Sequence, residues 1–319
     1  IKSLTKLLKN NSPDSIEHIG LYKLSGKVVA LDASLFIYKS LMSINTYNKD
    51  KQTGHIVGIF NKTINLLSLN ITPIYVFDGK APEEKSELLK ERRKKAHDAK
   101  IKMNNSNNDN DINKYKKQSI RLTNDHINDI KVLLNNMGVS YIHCDGEAEG
   151  NASELSRIKS VDYVYTEDMD SLTFGCTKLI RSCIDKSIKR KDIVSIIDLS
   201  NILENLDITY DQFIELCILC GCDYCKNIPN VGIIKSLKII KEYKTVDNYV
   251  NSENIILPEN YMNKFNASKK IFYSYKGKFD KGVPIYKSIL NINKLKEYLI
   301  NTISMSESTF NNSLNKINR

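Results

Sequence analysis

The chain of 319 residues holds no apolar run of the roughly 18–20 residues that would span a bilayer. Its opening stretch, IKSLTKLLKN, is amphipathic but has neither an apolar h-region nor a small-residue cleavage site, so it does not read as a signal peptide. Cysteine is scarce and odd in number, seven in all. A chain this long can bury a core without crosslinks, and that count favours reduced thiols in an intracellular compartment over a disulfide framework. No internal repeat is found. Histidines number five, and none falls in the acidic motifs described below, so neither a histidine nor a cysteine nucleophile is indicated. His55 and His126 read as helix-surface or capping residues.

Charge is what the chain has in quantity. Forty-seven Lys and Arg against thirty-seven Asp and Glu leave a formal net charge of +10, which suggests a polyanionic partner. An AT-rich coding sequence, visible in the Asn, Ile and Lys content, accounts for part of that excess. Within this basic chain seven carboxylates stand out: Asp32, Asp78, Glu147, Glu149, Asp168, Asp170 and Asp223. Each lies where an apolar run or a helical pattern stops, and two pairs have one residue between them. Hard oxygen donors gathered in this way suit divalent cations, which in turn can hold a phosphodiester.

Three segments read as buried parallel strands ending in an acid: Lys27–Asp32, Ile74–Asp78 and Val161–Asp168. Helical patterns lie between them, at Gly54–Leu69 with an inner face of Ile56, Ile59, Phe60, Thr63, Ile64 and Leu67, and at Asp125–Met137 between a capping Asn124 and Gly138. This alternation predicts an α/β fold with a mostly parallel central sheet and helices on both faces. In such sheets ligands bind beyond the carboxyl ends of the strands. Asp32, Asp78 and Asp168 are therefore expected on one edge.

Residues 80–122 break the pattern with a dense basic stretch that includes Lys85, Arg92 and Arg93, followed by the polar run Asn104–Asn113. Too polar for the core, this insertion reads as a solvated helical hairpin or loop, or as a positive arm beside the acids. The seven-residue spacing of Lys85 and Arg92 puts both on one face of a helix. Further on, helical patterns at Tyr210–Cys220 and Ile233–Tyr243 flank a tight turn, and the second carries Lys235, Lys238 and Lys241. Such a turn leading into a basic helix suits phosphate binding. Cys217, Cys220, Cys222 and Cys225 have a spacing that could suggest zinc or an iron–sulfur cluster, but Cys217 and Cys220 share an apolar helix face with Phe213 and Leu216, and core residues are the preferred reading.

Taken together, VVALDASLFIY (28–38), PIYVFDGKAP (73–82), DGEAEGNASEL (145–155), TEDMDSLTFG (166–175), CILCGCDYC (217–225) and IPNVGIIKSLKIIKEYK (228–244) resemble the flap endonucleases of the XPG-type structure-specific 5′-nuclease superfamily. The likeness runs from Ile1 to about Tyr243. It implies a PIN-like nuclease core in segments 1–79 and 123–209, a helical arch at 80–122, a helix–two-turn–helix DNA clamp at 210–245 and a C-terminal helical region at 246–319 packing on the core.

The resemblance further implies two Mg²⁺ ions, for which Mn²⁺ can substitute: one held by Asp32, Asp78, Glu147 and Glu149, the other by Asp168, Asp170 and Asp223. Lys85 and Arg92 correspond to a catalytic basic pair steering the scissile phosphate, and Tyr38 to an aromatic that stacks on a base. Arg93, Gly232, Lys235 and Lys238 fall in the DNA-binding elements, whose turn binds K⁺ in the family. The implied partner is DNA with a 5′ flap or junction and the implied setting a site of DNA replication such as the nucleus, with the protein a monomer and no membrane involved. Asn230 replaces the first Gly of the usual Gly-x-Gly turn, and the C-terminal sliding-clamp peptide of many relatives is not found. The implied reaction is two-metal hydrolysis near the junction. A 5′→3′ exonuclease or a gap- or bubble-cutting nuclease is the alternative, and an inactive junction-binding protein a more distant one. The short arm, poor in apolar residues, favours threading a free 5′ end.

Overall fold

The computed structural model describes residue 1 and residues 3–44, 47–48 and 51–317. In chain order the main elements are α1 (Leu4–Asn11), β1 (Ile16–Gly20), β2 (Val28–Asp32), α2 (Ala33–Ser43), α3 (Gly54–Ser68), β3 (Thr72–Phe77), α4 (Ser86–Asn104), α5 (Asp109–Ser119), α6 (Asn124–Met137), β4 (Tyr141–His143), α7 (Ala148–Arg157), β5 (Tyr163–Tyr165), α8 (Asp170–Thr173), β6 (Lys178–Ser182), β7 (Ile193–Asp198), α9 (Leu199–Leu206), α10 (Tyr210–Cys220), α11 (Ile233–Tyr243), α12 (Val246–Glu253), α13 (Tyr261–Tyr273), α14 (Ile292–Glu297) and α15 (Glu307–Ile317). The chain is α/β, as the alternation of patterns predicts. It forms two compact units, each built from separate stretches of sequence: residues 1–23, 80–86 and 149–283 in one, residues 24–79, 87–148 and 284–319 in the other.

In the second unit β2, β3 and β4 lie side by side and parallel. Apolar β-branched and aromatic residues fill them: Val29, Ala30, Leu31, Val76 and Phe77 are wholly buried. Helix α3 covers β3 through Ile56, Ile59 and Phe60, with Leu66 rather than Leu67 completing its buried face. A polar link in that contact is shielded: Thr63 Oγ1 lies 2.8 Å from Tyr75 Oη and 2.7 Å from the Ile59 carbonyl. The outer strand β4 pairs with Tyr286 by hydrogen bonds of 3.1 and 2.8 Å between Tyr141 and Tyr286, and the two rings stack at 5.1 Å. Pairing covers an edge that would otherwise expose its backbone. Helix α6 starts one residue earlier than the sequence suggests. Its cap is Thr123, whose hydroxyl accepts from the His126 N–H, while His126 accepts from the Thr123 N–H. Gly138 closes the helix at φ 68°, where a Cβ would strike the Leu290 backbone. His55 is not a surface residue: it is buried, with Nε2 3.1 Å from Asp129 and its ring 4.7 Å from that of His126.

In the first unit the strand order is β1-β7-β6-β5, with β5 and β6 parallel and the other two pairings antiparallel. The third expected strand is shorter than the sequence reading. It stops at Tyr165, and Asp168 lies in the loop beyond it. Helix α10 is capped by a reciprocal Thr209–Gln212 box and buried from Phe213 to Cys220, so its burial extends past the single apolar face expected. Even Glu215 is inside, 3% exposed, where it accepts from Lys269 Nζ at 2.5 Å and from the Val246 N–H at 2.7 Å. That carboxylate joins α10 to α13 and to the start of α12.

The basic insertion is helical, with α4 and α5 separated by a short link in which Asn108 caps α5 through the Asn110 N–H at 2.9 Å. Apart from Ala96 and Ala99, α4 has no buried residue. Among the described residues no helix is long and apolar enough to cross a membrane.

Candidate active site

The second unit places Asp32, Asp78 and Glu147 beyond the carboxyl ends of three adjacent parallel strands. Asp32 ends β2, pairs in register with Val76 of β3, and caps α2 by accepting from the Leu35 N–H at 3.0 Å. Asp78 follows β3 directly. Its Oδ1 accepts at 2.8 Å from the N–H of Ala148, the first residue of α7, so it sits where a helix N-terminus favours negative charge. Gly79 lets the two loops meet. Its N–H donates to the Gly146 carbonyl at 2.7 Å, and a Cβ there would stand 2.1 Å from the Cys144 carbonyl oxygen. Asp32 and Glu147 are each only 4% exposed.

The first unit holds the remaining four acids. Glu149 is in the first turn of α7. Asp168 Oδ1 accepts from the Asp170 N–H at 2.9 Å, which turns the chain into the single turn of α8. The Asp170 carboxylate is buried, and the Ile1 amino group bonds to it. Burial first, then the charge of Asp168, push the Asp170 carboxyl up to about 7; the Ile1 ammonium opposes this and Asp223 adds to it. Asp223, in the turn after α10, pairs through Oδ2 with Lys85 Nζ at 3.1 Å, and that ammonium also lies 5.9 Å from the Tyr224 ring. Asp168 and Asp223 thus both act on the Asp170 carboxyl.

Among the described residues no set of three or more His, Cys, Asp or Glu side chains is gathered closely enough to hold a metal ion directly. The donor types nevertheless suit a hard cation: all seven groups are carboxylates, Asp223 already meets the Lys85 ammonium, and Asp170 ionises reluctantly among like charges. Mg²⁺ keeps much of its water, so carboxylates can hold it through water as well as directly. The cysteine cluster does not suit a soft metal. Cys217, Cys220, Cys222 and Cys225 carry free thiols; burial pushes Cys217 well above its usual range and the other three up to about 12, away from the thiolate a metal needs.

Of the residues expected to touch DNA, Arg92 and Arg93 are exposed on α4, and Tyr38 is half-buried on α2. Lys85 ends a short 3₁₀ turn, Glu83–Lys85, that leads into α4 at Ser86. Nothing in the sequence pattern signals its pairing with Asp223. Gly232 caps α11, and Lys235 and Lys238 lie exposed along that helix. Asn230 takes φ 61°, the left-handed conformation that Asn tolerates better than most residues. The Asn227 amide braces the turn by donating to the carbonyls of Ile228 and Val231 at 3.1 and 3.4 Å.

Comparison with known proteins bears on this arrangement. The pattern of the XPG N-terminal domain matches residues 1–99, and that of the XPG I-region residues 138–223. Together they define an XPG-type nuclease. Flap endonuclease 1-B of Physcomitrium patens is 40% identical over 248 residues, 75% of this chain and 71% of that protein. Flap endonuclease 1-A of Sorghum bicolor is 39% identical over 75% of this chain and 65% of its own length. The chain belongs to the flap endonuclease family, and it spans about two thirds of the length of these relatives. The structure of flap endonuclease-1 from Methanococcus jannaschii superposes with a TM-score of 0.71 at 25% identity, covering 95% of both chains. The catalytic core of Rad2 in complex with DNA substrate has the same fold, with a TM-score of 0.72 at 22% identity over 98% of this chain and 99% of that one.

Proposed function

We propose that the protein is a divalent-metal-dependent, structure-specific 5′-nuclease that cuts DNA bearing a single-stranded 5′ flap near the duplex junction. The observation that carries this reading is the buried Asp170 carboxylate, flanked by Asp168 and Asp223 and pushed up to about 7 in a chain of net positive charge. Burying like charges together is costly unless a cation compensates them. Two bound Mg²⁺ ions would supply a water of lowered pKa and stabilise charge on the attacking and leaving oxygens. Asp32, Asp78, Glu147 and Glu149 would hold one, and Asp168, Asp170 and Asp223 the other.

The chain's other residues would do the rest. Lys85 stands at Asp223, where it can transfer its charge to a scissile phosphate, and Arg92 extends positive charge along α4. Tyr38 offers a ring to the terminal base. Lys235 and Lys238 grip duplex phosphates without reading sequence, and K⁺ would be held at the Asn230–Gly232 turn. An exonuclease or gap-cutting mode uses the same residues on other DNA ends.

The test is cleavage of a 5′-labelled double-flap DNA beside nicked, gapped and bubble substrates, with and without Mg²⁺. Mg²⁺-dependent incision near the flap junction is expected, abolished by Asp170→Asn while DNA binding persists. Cleavage by that variant at the wild-type rate would sink the assignment.

A further inference from the structure

A buried hydroxyl on the helix that carries Glu149 reaches the segment that carries Asp170. Ser153, wholly buried on α7, has Oγ 2.6 Å from the Glu149 carbonyl oxygen and 3.0 Å from the Ser171 carbonyl oxygen. A hydroxyl has one hydrogen, and both neighbours are acceptors, so the two carbonyls share it and are held at a fixed separation. Ser171 follows Asp170 in α8, and its carbonyl also accepts from the Cys176 N–H at 2.9 Å. Glu149 and Asp170 belong to the two acid groups assigned to different ions. One turn along α7, Ser156 makes a second, part-buried contact, Oγ to Thr177 Oγ1 at 2.5 Å. That contact touches neither acid-bearing residue nor its immediate neighbour.

We propose that Ser153 is a positioning residue for the metal centre: it sets the spacing between the Glu149 and Asp170 main chains, and with it the affinity of the acids for divalent ions. This rests on the reading of the site given above. An apolar side chain would fill the same space but leave the two carbonyls facing each other across it without their common donor, and they would move apart. Loss of groups that orient metal ligands typically weakens metal binding or activity by about 10–100-fold.

The experiment compares Ser153→Ala, Ser153→Cys and Ser156→Ala. For each, two Mg²⁺ titrations are run on the full chain, one following flap cleavage and one following the melting temperature in the absence of DNA. Ser153→Ala should raise both Mg²⁺ midpoints by roughly tenfold, with DNA affinity in Ca²⁺ unchanged. Ser153→Cys, nearly the same size but a weak donor, should fall between Ala and wild type. Ser156→Ala should lower the metal-free melting temperature as much as Ser153→Ala does, yet leave both midpoints in place. The proposal is overturned if both Ser153 variants keep wild-type midpoints, or if Ser156→Ala shifts them equally. Failure of Mg²⁺ to stabilise the wild-type chain would strike the metal reading itself, a result distinct from either.

Discussion

Replacing Asp170 with Asn should make the metal-free protein more stable at pH 8 and leave it little changed at pH 4. The carboxyl is pushed from the usual 3.8 to about 7 by burial and then by Asp168. The folded chain therefore keeps a proton between pH 4 and 7 that the unfolded chain has released. Where the folded state binds more protons, stability falls as pH rises. The loss is spread over that window and is complete above it. About three units at 1.36 kcal/mol each give a ceiling near 4 kcal/mol. Imperfect replacement of the carboxyl's contacts by the amide brings the expected gain to roughly 1–3 kcal/mol at pH 8. Urea unfolding in EDTA at pH 4, 5, 6, 7 and 8, on both proteins, measures the difference. Wild-type and variant stabilities that run parallel across that range would refute the argument. Added Mg²⁺ should flatten the wild-type decline, and should act less on the Asn variant, which keeps only the other acid group intact.

Two further outcomes follow from buried contacts. Glu215→Ala removes the acceptor shared by Lys269 and the Val246 N–H; because Lys269 is partly solvated, a loss of about 3 kcal/mol in chemical unfolding is expected, the low end for a broken buried pair. Gly79→Ala drives a methyl into the Cys144 carbonyl and should cost roughly 1–3 kcal/mol while weakening Mg²⁺ stabilisation, because it separates the Asp78 and Glu147 loops; an unchanged Mg²⁺ titration would contradict that account.

The acid-bearing strand ends were legible because short β-branched and aromatic runs can hardly be anything else, and β2 and β3 fall where those runs lie. Helix α11 begins and ends as expected, since Gly232 and the break after Tyr243 punctuate a clear period. What was illegible depends on partners distant in sequence. His55 reads as a surface residue until Asp129, 74 positions away, supplies its contact. Thr123 was passed over as the cap of α6 because a His, rather than Glu or Gln, completes its box. The short 3₁₀ turn Glu83–Lys85 ahead of α4 is invisible to a spacing rule that assumes one continuous helix. Ser153 carries no sequence signal, since a serine inside a helix ordinarily bonds only to its own preceding turn.

The interleaving of the two units constrains how the chain can be made. The Lys9 ammonium of α1 donates to the Ile184 carbonyl, 175 residues further on. At a synthesis rate of about 5–20 residues per second, the first helix waits roughly 9–35 s for that partner to be translated. The other unit is likewise incomplete until α14 and α15 arrive to pack on α6 and α3. The amphipathic first helix, with Leu4, Leu7 and Leu8 destined for the core, therefore completes its packing only after those later segments are made.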